Sequence, residues 1–180
     1  MTTQHKLTKG LFQVYTGNGK GKTTASLGLV FRALGHGLRI HVMQFMKGQT
    51  VYGELESAKM FADKLTIEQV GSARFVKAGK QTSTDREMAQ TALVRAHALV
   101  SSGDYDLVVL DELNCAVDFD LVALDDVKEL IRSKPEHTEL VITGRNVHPD
   151  IVELADLVTE MREIKHYFNA GQAARVGIES

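Results

Sequence analysis

The chain lacks tryptophan, has one cysteine and two prolines, and contains no long apolar run. Its single cysteine, Cys115, excludes an intramolecular disulfide, which agrees with a reducing compartment. No apolar stretch approaches the length that spans a bilayer, and the polar N-terminal residues do not resemble the apolar core of a signal peptide. We therefore expect a cytoplasmic protein without a membrane segment.

The charge of the chain is also nearly balanced. A formal net charge of −2 provides no broad cationic surface for nucleic acid or anionic lipid, although it leaves room for a local basic pocket. Hydrophobic residues make up 43% and charged residues 24%, as in ordinary soluble globular proteins. The 180 residues suit one domain spanning 1–180, and we expect residues 1–10 to form a flexible N-terminal segment.

Strand-like apolar runs alternate with helical periodicities along the whole chain. Strands are predicted at residues 11–16, 39–46, 65–70, 106–110, 139–143 and 157–164, and helices at 21–34, 54–63, 84–100, 124–131 and from Pro149 onward. Thr84 and Glu87 are spaced as a capping box for the longest helix. Residues 71–83 read as a loop, either near a site or merely solvated. This alternation predicts an α/β fold with a mainly parallel sheet and helices on both faces.

A glycine-rich motif follows the first predicted strand and opens the first helix. It reads Gly17-Asn18-Gly19-Lys20-Gly21-Lys22-Thr23-Thr24. Glycines let backbone N–H groups surround an anion, and the helix N-terminus adds partial positive charge. Lys22 supplies a full charge, and the hydroxyl of Thr23 is a suitable Mg²⁺ ligand. The usual motif has glycine where this chain has Thr16, but the strand-to-helix context favours a phosphate-binding loop over an inert turn.

Two acidic residues end the most apolar predicted strand. The run from Leu107 to Leu110 leads directly into Asp111 and Glu112, an arrangement that resembles a Walker B element. In open α/β sheets, ligands bind at the carboxyl ends of the strands. We therefore expect Asp111 or Glu112 to face Mg²⁺, directly or through water. The alternative is a pair of solvated loop carboxylates.

Two basic residues follow other predicted strands. The guanidinium of Arg145 suits nucleotide phosphate or ribose oxygens, although a surface ion pair is an equal alternative. Lys47 follows the second strand, where a lone lysine is expected to be solvated. The seven histidines show no metal-ligand spacing, so no zinc site is predicted. These residues predict a protein that binds Mg²⁺ with ATP or GTP, without revealing which nucleotide bond breaks.

Several segments together resemble one family, the corrinoid adenosyltransferases of the CobA/BtuR type. They are, in the family's order, residues 15–24, 44–48, 109–114, 142–145 and 164–171. The resemblance extends over residues 12–177, and Thr16 is the family's own form of the loop. It implies a RecA-like P-loop fold. It also implies transfer of the 5′-deoxyadenosyl group of ATP to the cobalt of a cob(I) corrinoid, with release of triphosphate, in adenosylcobalamin synthesis or salvage.

The resemblance implies roles for individual residues. Residues 17–24 hold the triphosphate, and Lys22 neutralises its charge. Thr23 and Glu112 match the Mg²⁺ ligands, so Lys22, Thr23 and Glu112 are the catalytic candidates. Asp111 and Arg145 match positions near the nucleotide. Because cobalt is the nucleophile, the protein's contribution is orientation and electrostatics.

The resemblance further implies that an aromatic side chain displaces the lower ligand of the corrinoid. Phe75 matches one such aromatic position, whereas Lys77 stands where some relatives have tryptophan. Our hypothesis is that Phe75, alone or with Val76 or another loop residue, fills the lower face of the corrin; the alternative is an ordinary core residue. The other partners implied are an electron donor such as a reduced flavoprotein and a second copy in a homodimer. No nucleic-acid or membrane partner is predicted.

Two other functions remain open from the residues. A P-loop ATPase or kinase would break a P–O bond, with Glu112 orienting water or a substrate hydroxyl. A nucleotide-dependent corrinoid-binding module would bind both ligands without turnover. The sequence does not distinguish cobalamin, cobinamide and a cobyrinic acid diamide as the natural corrinoid.

Overall fold

The structure is a computed structural model that describes residues 7–48, 52–72 and 79–179. Within these residues, the strands are β1 (Phe12–Thr16), β2 (Ile40–Phe45), β3 (Leu65–Val70), β4 (Leu107–Asp111), β5 (Glu139–Thr143) and β6 (Leu157–Glu160). The α-helices are α1 (Lys22–Gly35), α2 (Gly53–Ala58), α3 (Ser83–Ser101), α4 (Leu113–Asp118), α5 (Leu124–Arg132) and α6 (Pro149–Leu154). Short 3-10 helices cover Lys59–Phe61 and Tyr167–Ala170. No helix in the described ranges is long and apolar enough to cross a membrane.

The strands form one sheet in the order β3-β2-β4-β5-β1-β6, and every neighbouring pair is parallel. Successive residues of β4 face two different apolar cores. Val108 and Leu110 pack in the core that contains α3 and α5, whereas Leu107 and Val109 pack in the core that contains α1. All four side chains are buried, which explains why this strand is apolar without alternation. The predicted parallel α/β sheet with helices on both faces is confirmed.

Parallel pairing brings the carboxyl ends of the strands to one edge of the sheet. Gln44 of β2 lies beside Asp111 of β4, and Tyr15 of β1 lies beside Thr143 of β5. The residues that follow these strands are therefore neighbours although they are far apart in sequence. The glycine-rich motif, the acidic pair and Arg145 all emerge at this edge.

The described chain begins at Leu7, and residues 1–6 of the segment expected to be flexible lie outside the described residues. Gly10, at the other end of that segment, is buried, and its N–H donates to the carbonyl oxygen of Glu136 at 2.7 Å. A Cβ on Gly10 would lie 2.1 Å from the carbonyl carbon of Thr138. Only glycine fits this close approach of two backbone segments.

The start of α3 differs from the sequence prediction. Thr82 is the N-cap, and its hydroxyl accepts from the N–H of Asp85 at 3.2 Å while the Asp85 carboxylate accepts from the N–H of Thr82 at 2.8 Å. The predicted capping box of Thr84 and Glu87 is therefore wrong. Both pairs have the same spacing, but the Asp85 carboxylate is buried and accepts from the N–H and the hydroxyl of Thr82, whereas Glu87 is exposed.

This correction predicts different costs for two threonine substitutions. Thr82→Ala removes the cap and should lower the free energy of unfolding by about 1 kcal/mol. Thr84→Ala, two positions later and exposed, should change it by less than about 0.5 kcal/mol. Urea unfolding of both variants measures the difference, and a larger loss in Thr84→Ala would contradict the assignment.

Candidate nucleotide-binding site

The glycine-rich loop is folded against the end of β6. Gly17 and Gly21 have φ values of +94° and +125°, which glycine adopts without a steric penalty. A Cβ on Gly17 would lie 2.4 Å from the carbonyl oxygen of Met161, and the N–H of Gly19 donates to that oxygen at 2.7 Å. The glycines therefore also allow close packing. β6 ends at Glu160 rather than at the predicted residue 164, because Met161 packs onto the loop.

Lys22 is the first residue of α1 and is buried at the centre of the loop. Its ammonium donates to the carbonyl oxygens of Gly17 and Gly19 at 2.7 and 2.9 Å. An ammonium has three donors, so these bonds fix its position and leave capacity for a ligand. Burial lowers the pKa of Lys22, and the nearby carboxylate of Glu112 opposes that shift. The side chain is thus a positioned, partly desolvated cation.

Asp111 is fully buried at the end of β4 and accepts hydrogen bonds from three other elements. Its Oδ1 accepts from the hydroxyls of Thr23 at 2.9 Å and Thr143 at 2.6 Å. Its Oδ2 accepts from the Lys47 ammonium at 3.0 Å. A buried carboxylate is tolerated only when it is paired and hydrogen-bonded in this way. Asp111 therefore fixes the positions of Thr23 and Lys47.

The prediction that Lys47 is solvated is wrong. Only 19% of its side chain is exposed, and its ammonium also lies 5.0 Å from the centre of the Tyr52 ring. Burial alone would lower the pKa of Lys47, but the charge and hydrogen bond of Asp111 raise it overall. The ion pair is the reason that this lysine is ordered.

Glu112 follows Asp111 with a left-handed backbone, at φ +63°, and caps the start of α4. One oxygen of its carboxylate accepts from the Cys115 thiol at 2.9 Å, and the Cys115 sulfur in turn accepts from the N–H of Arg145 at 3.2 Å. Burial, followed by the charge of Glu112, raises the pKa of Cys115 to about 12. The thiol therefore stays protonated at neutral pH and acts as a hydrogen-bond donor rather than a nucleophile.

These residues line one open cavity of about 740 Å³ at the carboxyl edge of the sheet. Four basic residues, Lys20, Lys22, Lys47 and Arg145, contribute to its wall. Three acidic residues, Glu54, Glu112 and Glu179, also line it, whereas Asp111 lies beneath the wall and is fully buried. The volume is within the range of small-molecule sites, and the excess of basic residues suits a polyanion.

The structure brings most of the predicted site residues together. Those that line the cavity are Asn18, Gly19, Lys20, Gly21, Lys22, Thr23, Thr24, Glu112 and Arg145. Gly17 lies one residue before this group, and Asp111 contacts it through Thr23. Phe75 lies outside the described residues. In the part of the chain that is described, no cluster of three or more histidine, cysteine or acidic side chains forms a metal site.

Sequence reasoning missed other residues of the wall. Tyr52, Glu54 and Ser57 come from α2 and its N-cap, and His166 and residues 177–179 come from the C-terminal segment. Neither segment follows a strand of the sheet directly, so a search for site residues at the carboxyl ends of the strands did not find them. For His166, the only signal was its place in the resemblance to the family.

A family model described as ATP:corrinoid adenosyltransferase BtuR/CobO/CobP matches residues 8–180. The chain belongs to this family. A corrinoid adenosyltransferase of Pseudomonas aeruginosa is 39% identical over 171 residues, which cover 95% of this chain and 84% of the relative. One from a Sinorhizobium species is 41% identical over 176 residues, covering 95% and 80%, and one from Escherichia coli K12 is 36% identical over 171 residues, covering 95% and 86%.

The fold is similar to a solved structure of much lower sequence identity. The flagellar accessory protein FlaH of Methanocaldococcus jannaschii matches with a TM-score of 0.60 at 11% identity, covering 84% of this chain and 71% of that one. At this identity the likeness concerns the fold alone. The predicted α/β fold with a parallel sheet and the predicted family are both confirmed.

The Lys47–Asp111 pair generates a stability prediction. Lys47→Met keeps most of the apolar stem but leaves the buried carboxylate without its cation, so the free energy of unfolding should fall by about 1–3 kcal/mol. Lys59→Met is the matched control, because Lys59 pairs with Glu56 in an exposed setting and should change it by less than about 1 kcal/mol. Urea unfolding measures both.

The pH dependence of this difference follows from the raised pKa of Lys47. A lysine whose folded pKa exceeds its unfolded value stabilises the protein fully below the unfolded value of 10.5. The stabilisation is lost as the pH rises through the folded value. The difference between wild type and Lys47→Met should therefore be equal at neutral pH and at moderately alkaline pH. A steady decline over that interval would contradict the ion pair.

Proposed function

We propose that this chain transfers the 5′-deoxyadenosyl group of ATP to the cobalt of a cob(I) corrinoid. In this reaction the cob(I) electron pair forms the Co–C bond at C5′ of ATP. The C5′–O bond breaks, and inorganic triphosphate leaves with its electron pair. The main support is that a chain of this family has its phosphate loop, acidic strand end and Arg145 in one cavity.

The cavity is suited to holding a triphosphate as the leaving group. Negative charge accumulates on the departing oxygen, and fixed cations stabilise that charge in the transition state. Lys22 is held by two loop carbonyls, and Lys47 by Asp111, so neither ammonium has to reorganise during the reaction. Lys20 and Arg145 add charge at the wall.

The donor set of the cavity fits Mg²⁺, which commonly binds one or two carboxylates together with substrate phosphates. We assign Thr23 and Glu112 as its ligands. Both oxygens of Asp111 are engaged by protein donors, so that residue orients the Thr23 hydroxyl, whereas Glu112 lines the cavity. When bound, Mg²⁺ offsets charge on the triphosphate.

The remaining assignments follow from membership of the family. We propose that Phe75 contacts the lower face of the corrin and that a reduced flavoprotein donates the electron to cob(II). We also propose that the chain acts in the cytoplasm, and as a homodimer. Gly71, four residues before Phe75, packs against the backbone of Met46 and Lys47, beside the cavity.

The reaction is tested anaerobically with cob(I)alamin, Mg²⁺ and ATP. Loss of cob(I) absorbance with formation of a light-sensitive adenosylcorrinoid and intact triphosphate is the expected result. ADP and orthophosphate with cob(I) unchanged would instead establish phosphoryl transfer. No turnover with either cobalamin or cobinamide, despite binding of both ligands, would indicate a binding module.

Lys22→Met should reduce this transfer by about 100-fold or more, because it removes the fixed cation from the leaving group. Lys59→Met, which places the same substitution on an exposed residue, should leave the rate unchanged. Initial rates at saturating cob(I)alamin measure the effect. A Lys22→Met enzyme that matches the control would overturn the role of the loop.

The assignment of Phe75 predicts a difference between two oxidation states of the substrate. Phe75→Ala should sharply slow adenosylation that starts from cob(II)alamin and a reductant, because the lower ligand stays on cobalt. The same variant should retain its rate with pre-reduced cob(I)alamin, where no reduction is needed. Parallel assays with the two substrates measure the ratio, and equal losses would count against the assignment.

A further inference from the structure

The C-terminal segment, residues 166–179, reaches the same cavity as the phosphate loop; we call it the tail. His166, Gly177, Ile178 and Glu179 line the cavity together with residues 18–24. The Lys20 ammonium lies 3.5 Å from the carbonyl oxygen of Ile178, so loop and tail are in contact. None of these tail residues has a role in the reaction as described above.

Three side chains bond the start of the tail to its end, and we call them the clamp: Tyr167, Arg175 and Glu179. The Tyr167 hydroxyl donates to Oε1 of Glu179, and Arg175 donates to the two carboxylate oxygens through Nη2 at 3.1 Å and Nε at 3.3 Å. The backbone N–H of Arg175 adds a bond of 2.8 Å to Oε2. The guanidinium also lies 5.1 Å from the centre of the Tyr167 ring. The clamp thus links Tyr167, near the start of the tail, to Arg175 and Glu179 near its end.

The electrostatics of the clamp suit a wall that faces a polyanion. A free carboxylate beside a triphosphate would repel it, but Glu179 is paired with Arg175. Hydrogen bonds from Arg175 and then Tyr167 hold the pKa of Glu179 at about 2, so the ion pair is complete at neutral pH. The Glu179 side chain is only 14% exposed, which limits screening by salt.

The tail also presents a side chain suited to a nucleotide. The Nδ1 atom of His166 accepts from the N–H of Phe168 at 3.1 Å, and the ring lies 4.7 Å from the ring of Tyr167. In the neutral ring, this bond places the proton on Nε2, which makes that atom a donor. A donor in the cavity wall suits ribose or phosphate oxygens.

We propose that the cavity-lining residues of the tail, His166 and residues 177–179, are part of the ATP-binding surface, with Tyr167 and Arg175 as positioning residues that act through Glu179. This inference rests on the proposed function, because it takes ATP as the ligand of the cavity. It adds residues to the site that follow no strand of the sheet. It also explains why Lys20 of the loop and Ile178 of the tail are in contact, since both line the same proposed ATP site.

Two substitutions test the clamp without changing a residue that lines the cavity. Tyr167→Phe removes one donor and keeps the ring, so the dissociation constant for Mg²⁺–ATP should rise roughly three- to tenfold. Arg175→Gln leaves the Glu179 charge unpaired beside the triphosphate, and we expect a rise of about tenfold or more. Val176→Ala is the matched control, since Val176 lies within the tail and is 95% exposed.

The measurements are titration calorimetry with Mg²⁺–ATP and steady-state kinetics with pre-reduced cob(I)alamin. For both clamp variants we expect a raised KM for ATP, a KM for cob(I)alamin within about twofold of wild type, and an unchanged urea midpoint. A purely structural role would instead lower the urea midpoint and change both KM values together. Variants that bind ATP as tightly as Val176→Ala would overturn the inference.

Trypsin provides a readout that does not depend on activity. Cleavage after Arg175 cuts the tail, and saturating Mg²⁺–ATP should slow it several-fold in the wild type, as followed by intact mass. Tyr167→Phe should show weaker protection. Equal cleavage with and without bound ATP would overturn the inference while leaving the proposed function intact. A wild-type chain that does not bind ATP at all would overturn both.

Discussion

The buried carboxylate of Asp111 joins the parts of the molecule on which the site depends. It accepts from Thr23 on the phosphate-loop helix, from Thr143 at the end of β5 and from Lys47 after β2. An unpaired carboxylate at this depth would be strongly destabilising, so the three donors and the acceptor must be placed together. The parallel sheet makes this feasible, because it brings the carboxyl ends of these strands to one edge.

Backbone strain is concentrated at the same edge. Met46, Glu112 and Asn146 have positive φ values of 57°, 63° and 52°, and they follow β2, β4 and β5. Left-handed backbone at residues other than glycine costs about 1–3 kcal/mol each, so the surrounding structure must compensate. At Glu112 the backbone N–H donates to Thr143, and the carboxylate accepts from Cys115. These left-handed residues lie at or next to Lys47, Glu112 and Arg145, which line a single cavity.

Local patterns were sufficient where one segment determines its own structure. The phosphate loop, the buried strand before Asp111 and the alternation of strands and helices could be predicted, because spacing and residue type act over a few positions. Where two local patterns competed, the sequence was not decisive. Thr82 and Asp85 have the same spacing as Thr84 and Glu87, and the structure forms the pair whose acid is buried. The cost of burying a carboxylate depends on neighbours that no local pattern contains.

The sequence by itself determined the class of fold, the glycine-rich loop between the first strand and helix, and the family. The tertiary structure decided which polar groups are partners. Lys47 and Asp111 are 64 positions apart, and Lys20 and Ile178 are 158 positions apart, so only the packed sheet brings them into contact. Burial then makes the Lys47–Asp111 ion pair stronger than it would be in water, whereas the Lys20–Ile178 contact stays exposed. For that reason the sequence alone predicted a solvated Lys47, whereas in the folded protein Lys47 is the counter-ion of the buried Asp111 carboxylate.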